Sequence, residues 1–128
     1  MTVITKLHTE NAPKAAGPYS QGIDAGSVVY VSGQLPVDHR TGQKVASDIK
    51  VQTAKVLENI QAILESAGLG LKNVVRCEVF LKDMGDFAAM NEVYASVFSF
   101  DPAPARQAFQ VGALPLDAMV EISCIAHR

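Results

Sequence analysis

Arg106 follows Pro104-Ala105 where a proline-bearing loop gives way to an apolar segment. A guanidinium there offers a planar fork of donors, the geometry that grips a carboxylate through two parallel hydrogen bonds. A structural ion pair, or a surface arginine at a strand end, fits the same pattern, and spacing alone does not separate these readings. Glu121, in Val120-Glu121-Ile122, interrupts an apolar strand pattern on the face opposite its neighbours. If that face is covered, the carboxylate needs a partner, or its pKa rises until it accepts a proton or orients water near neutrality. If the face is solvated, Glu121 is an ordinary strand charge. Tyr19, in Gly17-Pro18-Tyr19-Ser20-Gln21, lies where proline restricts the backbone, so its phenol is either presented to a site or used in packing. Asn91, beside Met90 and three residues before Tyr94, is either a site-facing amide or an exposed helix position.

Other chemistries find less to work with. His8, His39 and His127 are far apart and show no paired ligand spacing, so no metal site is expected. No Gly-x-Gly-x-x-Gly or Walker-type loop occurs; Gly68-Leu69-Gly70 follows a helical pattern and reads as its C-cap. Cys77 and Cys124 sit among β-branched residues and read as small buried hydrophobes. With 11 Lys and Arg against 13 Asp and Glu, scattered along the chain, there is no basic field for nucleic acid. Residues 1–6 lead into no apolar stretch, and no apolar run approaches the ~20 residues of a membrane helix, so cytoplasmic residence is the default expectation.

The elements that must position these residues are legible as periodicities. Val28-Val29-Tyr30-Val31 is a strand, with Ala25-Gly26-Ser27 as the turn before it, residues 21–24 as its hairpin partner and residues 3–7 as a further edge strand. Residues 38–42 read as an exposed turn. Residues 49–67 carry Val56, Leu57, Ile60, Ile63 and Leu64 at helical spacing, with Asp48 as N-cap and Gly68 as stop. Residues 74–81 switch to a period of two, with Val75, Cys77, Val79 and Leu81 predicted on the buried face. A second helix is predicted over 86–98 with Asp86 as cap and Phe87, Met90, Tyr94, Val97 and Phe98 as its apolar stripe. Two strands, 105–111 and 119–126, are predicted to join around Leu114-Pro115-Leu116-Asp117 as a terminal hairpin.

The order β-β-β-α-β-α-β-β predicts an α+β domain over residues 1–128: one mixed six-stranded sheet with both helices on one face. The other face would carry Val28, Tyr30, Phe80 and Ile125, too apolar a set for solvent, which predicts a homo-oligomer packed through it.

Taken together, Gly17-Pro18-Tyr19-Ser20-Gln21, Val31-Ser32-Gly33-Gln34-Leu35-Pro36, Asn91-Glu92-Val93-Tyr94, Pro104-Ala105-Arg106 and Val120-Glu121-Ile122 resemble, in order, segments of the RidA proteins, also known as the YjgF or L-PSP family. The resemblance implies a chorismate-mutase-like fold and a homotrimer with sites between subunits. It also implies hydrolytic deamination of 2-aminoacrylate and its 2-imino tautomer to a 2-oxo acid and ammonia, with no metal or organic cofactor. Carried over, Arg106 would clamp the substrate carboxylate, Glu121 would orient or activate water, and Tyr19 would close the pocket. Ser32 and Gly33 would line it, Asn91 would contribute from the helix, and the backbone at Ala108 would bond the carboxylate. Many members carry Ser-Cys or Ser-Thr after Pro-Ala-Arg; here the residues are Gln107-Ala108, which puts pocket volume and substrate preference in question. A non-catalytic binder or sensor of 2-oxo acids would need Arg106 but not Glu121. A ribonuclease or translation inhibitor, a role attached to parts of the family, sits poorly with the acidic composition.

Overall fold

A computed structural model describes residues 3–128, and in it six strands form one mixed sheet. In chain order the elements are β1 (Thr5–Leu7), β2 (Gly22–Asp24), β3 (Val28–Gln34), α1 (Ile49–Ser66), β4 (Val74–Leu81), α2 (Phe87–Val97), β5 (Ala105–Gln110) and β6 (Val120–His127). The spatial order is β1-β2-β3-β6-β4-β5; β4 and β5 are parallel, and every other neighbouring pair is antiparallel. The hairpin of β2 and β3 and the edge strand β1 form as their residue types predict, with Gly26 supplying the positive φ of 95° that the connecting turn requires.

Helix α1 begins where Asp48 Oδ1 accepts the N–H groups of Lys50 and Val51. It ends in a Schellman turn: Gly68, at φ 75°, donates to Glu65 O and Leu69 to Leu64 O. Its stripe of Val56, Leu57, Ile60, Ile63 and Leu64 is fully buried against the sheet and α2. Two buried amides on α1 tie it to the loops around it. Asn59 Nδ2 donates to Leu35 O and Val37 O, and Gln52 Oε1 accepts the Met119 N–H. Helix α1 therefore fixes the loop that leaves β3 and the approach to β6.

Three expectations are corrected. The last two strands are not a hairpin, because β6 enters between β3 and β4 and leaves β5 at the sheet edge. Burial explains the choice: β6 offers Val120, Ile122, Cys124 and Ala126 to the helix side, all buried, whereas Gln107, Phe109 and Gln110 of β5 are exposed. On β4, Val75 is not in the core. Val74 pairs with Ala126 and Arg76 with Ile125, so the register shift between them leaves Val75 turned outward and 48% exposed. Asp86 does not cap α2; a 3₁₀ turn over Met84–Asp86 precedes the helix, and Asp83 accepts the Gly85 N–H there instead.

The sheet face away from the helices carries Val28, Tyr30, Phe80 and Ile125, as the alternation predicts, with Phe109 and Val75 also exposed. Among the described residues no helix is long and apolar enough to cross a membrane.

The two aspartates make opposite predictions. Replacing Asp48 by Ala should cost about 1 kcal/mol in urea unfolding, because it orphans two helix N–H groups. Asp86→Ala should stay within about 0.5 kcal/mol; equal losses would contradict the capping assignment.

Candidate functional site

Strand β3 is irregular where it matters most. Val31 pairs with Cys124 but Gln34 with Ile122, so three steps along β3 match two along β6. The extra residue is a bulge at Ser32-Gly33, which turns Gly33 outward and Gln34 into the interior. Gly33 has no room for a side chain, since a Cβ there would overlap Glu121 Oε2. The missing Cβ lets the Glu121 carboxylate lie against the β3 backbone. Glu121 is half-buried, and burial alone raises its pKa above the ordinary 4.5, with no neighbouring charge opposing the rise.

The segment before β2 is organised by one buried side chain, Gln21. Its Nε2 donates to Pro13 O at 2.8 Å and to Thr9 O at 3.1 Å, while its Oε1 accepts the Thr9 N–H at 2.8 Å. Ser32 Oγ donates to Ser20 O at 2.6 Å, so this hydroxyl fixes the Tyr19-Ser20 turn to the bulge. Tyr19 is 53% exposed, and its hydroxyl accepts the Ala16 N–H. Tyr19 and Gly33 line a cavity of about 470 Å³ together with Leu35, Val37 and Leu116.

Arg106 belongs to a different cluster. It pairs in register with Cys77, on the helix side of the sheet, and its guanidinium lies 4.7 Å from the Tyr94 ring centroid and 5.5 Å from that of Phe87. Its Nη1 donates to Asn91 Oδ1 at 2.6 Å. Phe87, Asn91 and Tyr94 follow one another at i, i+4 and i+7 along α2, so a single helix face supplies the whole cradle. Among the described residues, no carboxylate lies within ion-pair distance of Arg106. The Val111 N–H bonds Leu81 O across the β4–β5 pairing, and strand alternation then turns the amide of Ala108 toward the open edge.

The predicted residues thus fall into two groups. Tyr19, Ser32, Gly33 and Glu121 gather at the bulge; Arg106, Asn91 and Ala108 gather at the β5 edge. Glu121 pairs with Phe80 on the outer face and Arg106 with Cys77 on the helix face, so one chain does not bring the arginine and the glutamate together. Ser32 holds the loop and is not among the cavity's lining residues.

Tyr94 and Phe87 were expected only as core. The signal was their helical spacing from Asn91, which sets them under the same guanidinium. The Tyr94 hydroxyl lies beside the Cys77 thiol without hydrogen-bond geometry, and burial raises the pKa of both, and of Cys124.

Comparison with known proteins adds a family. Residues 9–128 match the family model described as Endoribonuclease L-PSP. A RutC family protein of Pyrococcus horikoshii is 54% identical over 122 residues, covering 95% of this chain and 96% of its own. A 2-iminobutanoate/2-iminopropanoate deaminase of Salmonella typhimurium is 49% identical over 124 residues, again covering 95% of this chain and 96% of its own. The crystal structure of Escherichia coli TdcF with bound serine superposes with a TM-score of 0.92 at 44% identity, covering 97% of this chain and 98% of that one.

Gly33→Ala should fold, because the clash is with the mobile end of a side chain, but it should push the Glu121 carboxylate outward. A carboxyl-carbon NMR titration should then show the Glu121 pKa falling back toward 4.5. An unchanged titration would contradict the close packing of Gly33 and Glu121.

Proposed function

Because the chain belongs to the L-PSP family, in which the RidA and YjgF proteins are grouped, we propose that it hydrolyses 2-imino acids to 2-oxo acids and ammonia. One observation carries the reading. Among the described residues, the sheet holds a raised-pKa carboxylate without an ion-pair partner in one place and a stacked guanidinium without one in another, and neither reaches the other. Two copies of the chain, each setting its β5 edge against the outer face of the next, would complete both. A closed ring of three such contacts is the assembly we propose. The apolar outer face with Tyr30, Phe80, Phe109 and Ile125 supports that packing.

In this account Arg106, held flat by Tyr94 and aimed by Asn91, takes the substrate carboxylate bidentately, and the outward amide of Ala108 adds a backbone donor. Glu121 of the facing chain accepts a proton from water as its oxygen attacks the imine carbon. The same proton then passes to the nitrogen of the carbinolamine, and as the C–N bond breaks the hydroxyl proton moves to Glu121, leaving the 2-oxo acid; Glu121 hands that proton to the departing ammonia, which leaves as ammonium. Tyr19 closes over the bound acid, and Gly33 keeps its backbone close to the reacting centre. A protonated imine is already electrophilic, so positioning and one proton relay are the main requirements. The endoribonuclease of the family's description is not carried over, since a net charge of −2 offers little attraction for a phosphate backbone.

Coupled to an enzyme that releases 2-aminoacrylate, the protein should accelerate formation of pyruvate. Arg106→Ala should abolish the gain, chiefly through KM, and Glu121→Gln should lower kcat at least a hundredfold. Because the base must be deprotonated and burial raises its pKa, activity should fall on the acid side with a midpoint above 4.5, and that limb should vanish in Glu121→Gln. Full activity in Glu121→Gln would overturn the base assignment, and 2-oxo acid binding without turnover would reassign the protein as a binder.

A further inference from the structure

The connection between β5 and β6 carries two consecutive non-glycine residues in the left-handed region, Leu116 at φ 58° and Asp117 at φ 53°. This conformation is unfavourable for residues with side chains and tends to be retained where function uses it. Burial does not account for it at Leu116, which is 61% exposed. The surroundings hold the turn from two sides. Lys44 Nζ, from the loop after β3, donates to Leu116 O at 2.8 Å and Asp117 O at 3.3 Å. Lys82 Nζ, from the end of β4, pairs with Asp117 Oδ1 at 2.9 Å. Within the turn, the N–H groups of Asp117 and Ala118 donate to Leu114 O and Pro115 O.

What these contacts achieve is to present Leu116 to the cavity that Tyr19 and Gly33 also line. Gly33 is common to both places: it lines the cavity, and the Glu121 carboxylate lies against it. At about 470 Å³ the cavity has the size of a small-molecule site and far exceeds what a three-carbon acid fills. Leu35, Val37 and Leu116 give it apolar walls. Two of its polar residues are already engaged, Gln21 by backbone carbonyls and Arg40 by Asp38.

We propose that Leu116 is a specificity-determining residue, held in a strained turn so that it receives the side chain of 2-imino acids with branched or long aliphatic chains. The assignment rests on the proposed chemistry at Glu121 for its reaction, but its geometry concerns binding. Calorimetry with pyruvate, 4-methyl-2-oxopentanoate and 2-oxoglutarate separates the two. The wild-type protein should bind 4-methyl-2-oxopentanoate about tenfold more tightly than pyruvate. Leu116→Gly, which suits a positive φ, and Leu116→Asn, which tolerates it, should both reduce that preference to about twofold or less. Hydrolysis of the corresponding imines, measured in parallel, should follow the same order. No wild-type preference, a preference for 2-oxoglutarate, or a preference kept in both variants would overturn the role of Leu116. Selective binding lost in both variants, with no acceleration of any imine hydrolysis, would support Leu116 and overturn hydrolysis alone. Failure to bind any 2-oxo acid would overturn both.

Discussion

Alternation along a β-strand sends neighbouring side chains to opposite faces, and the rest of this molecule's design follows from that constraint. Arg106 is in register with Cys77 and Glu121 with Phe80, so the guanidinium rises among the helices while the carboxylate faces away from them. No rotamer change brings them together through a packed sheet. Chemistry that needs both groups therefore needs two chains, and we propose that another copy packs on the apolar outer face.

Each group is then prepared by its own neighbourhood. The bulge turns Gly33, which has no Cβ, toward the place where the Glu121 carboxylate lies against the backbone, and the buried Gln21 together with the Ser32 hydroxyl fixes the loop that carries Tyr19. On the other side, aromatic rings and an amide of α2 hold Arg106, with no carboxylate among the described residues close enough to pair with it. A guanidinium supported by stacking and one hydrogen bond keeps donors free for an anion, which a salt bridge would occupy.

Much of the fold was legible because its signals are local and periodic. The stripe of α1, its Asp48 cap, its Gly68 stop and the β2–β3 turn at Gly26 are all written within a few residues of where they act. The place of β6 was not, because whether a last strand pairs with its predecessor or enters the centre depends on the burial of all the others. Val75 and the Ser32-Gly33 bulge were misread or missed for a related reason: a register shift is a property of two strands, and either sequence alone keeps its alternation. The candidate site residues were legible from types and from family resemblance, yet their division into two groups appears only once the strand order sets which face each one occupies. Tyr94 shows the limit well, since an aromatic residue in a helix stripe looks the same whether it packs on a core or under a guanidinium.

The central claim, that each site takes its arginine from one chain and its glutamate from another, is tested most directly by mixing two inactive proteins. Arg106→Ala and Glu121→Gln chains, differently tagged and co-expressed, should assemble into hybrids with imine hydrolase activity that neither protein has alone. With random assembly at equal amounts, about one quarter of wild-type activity should return, the share of sites that receive both intact residues. Hybrids no more active than the two parents would contradict the account, because they would mean that each chain supplies both groups to its own site.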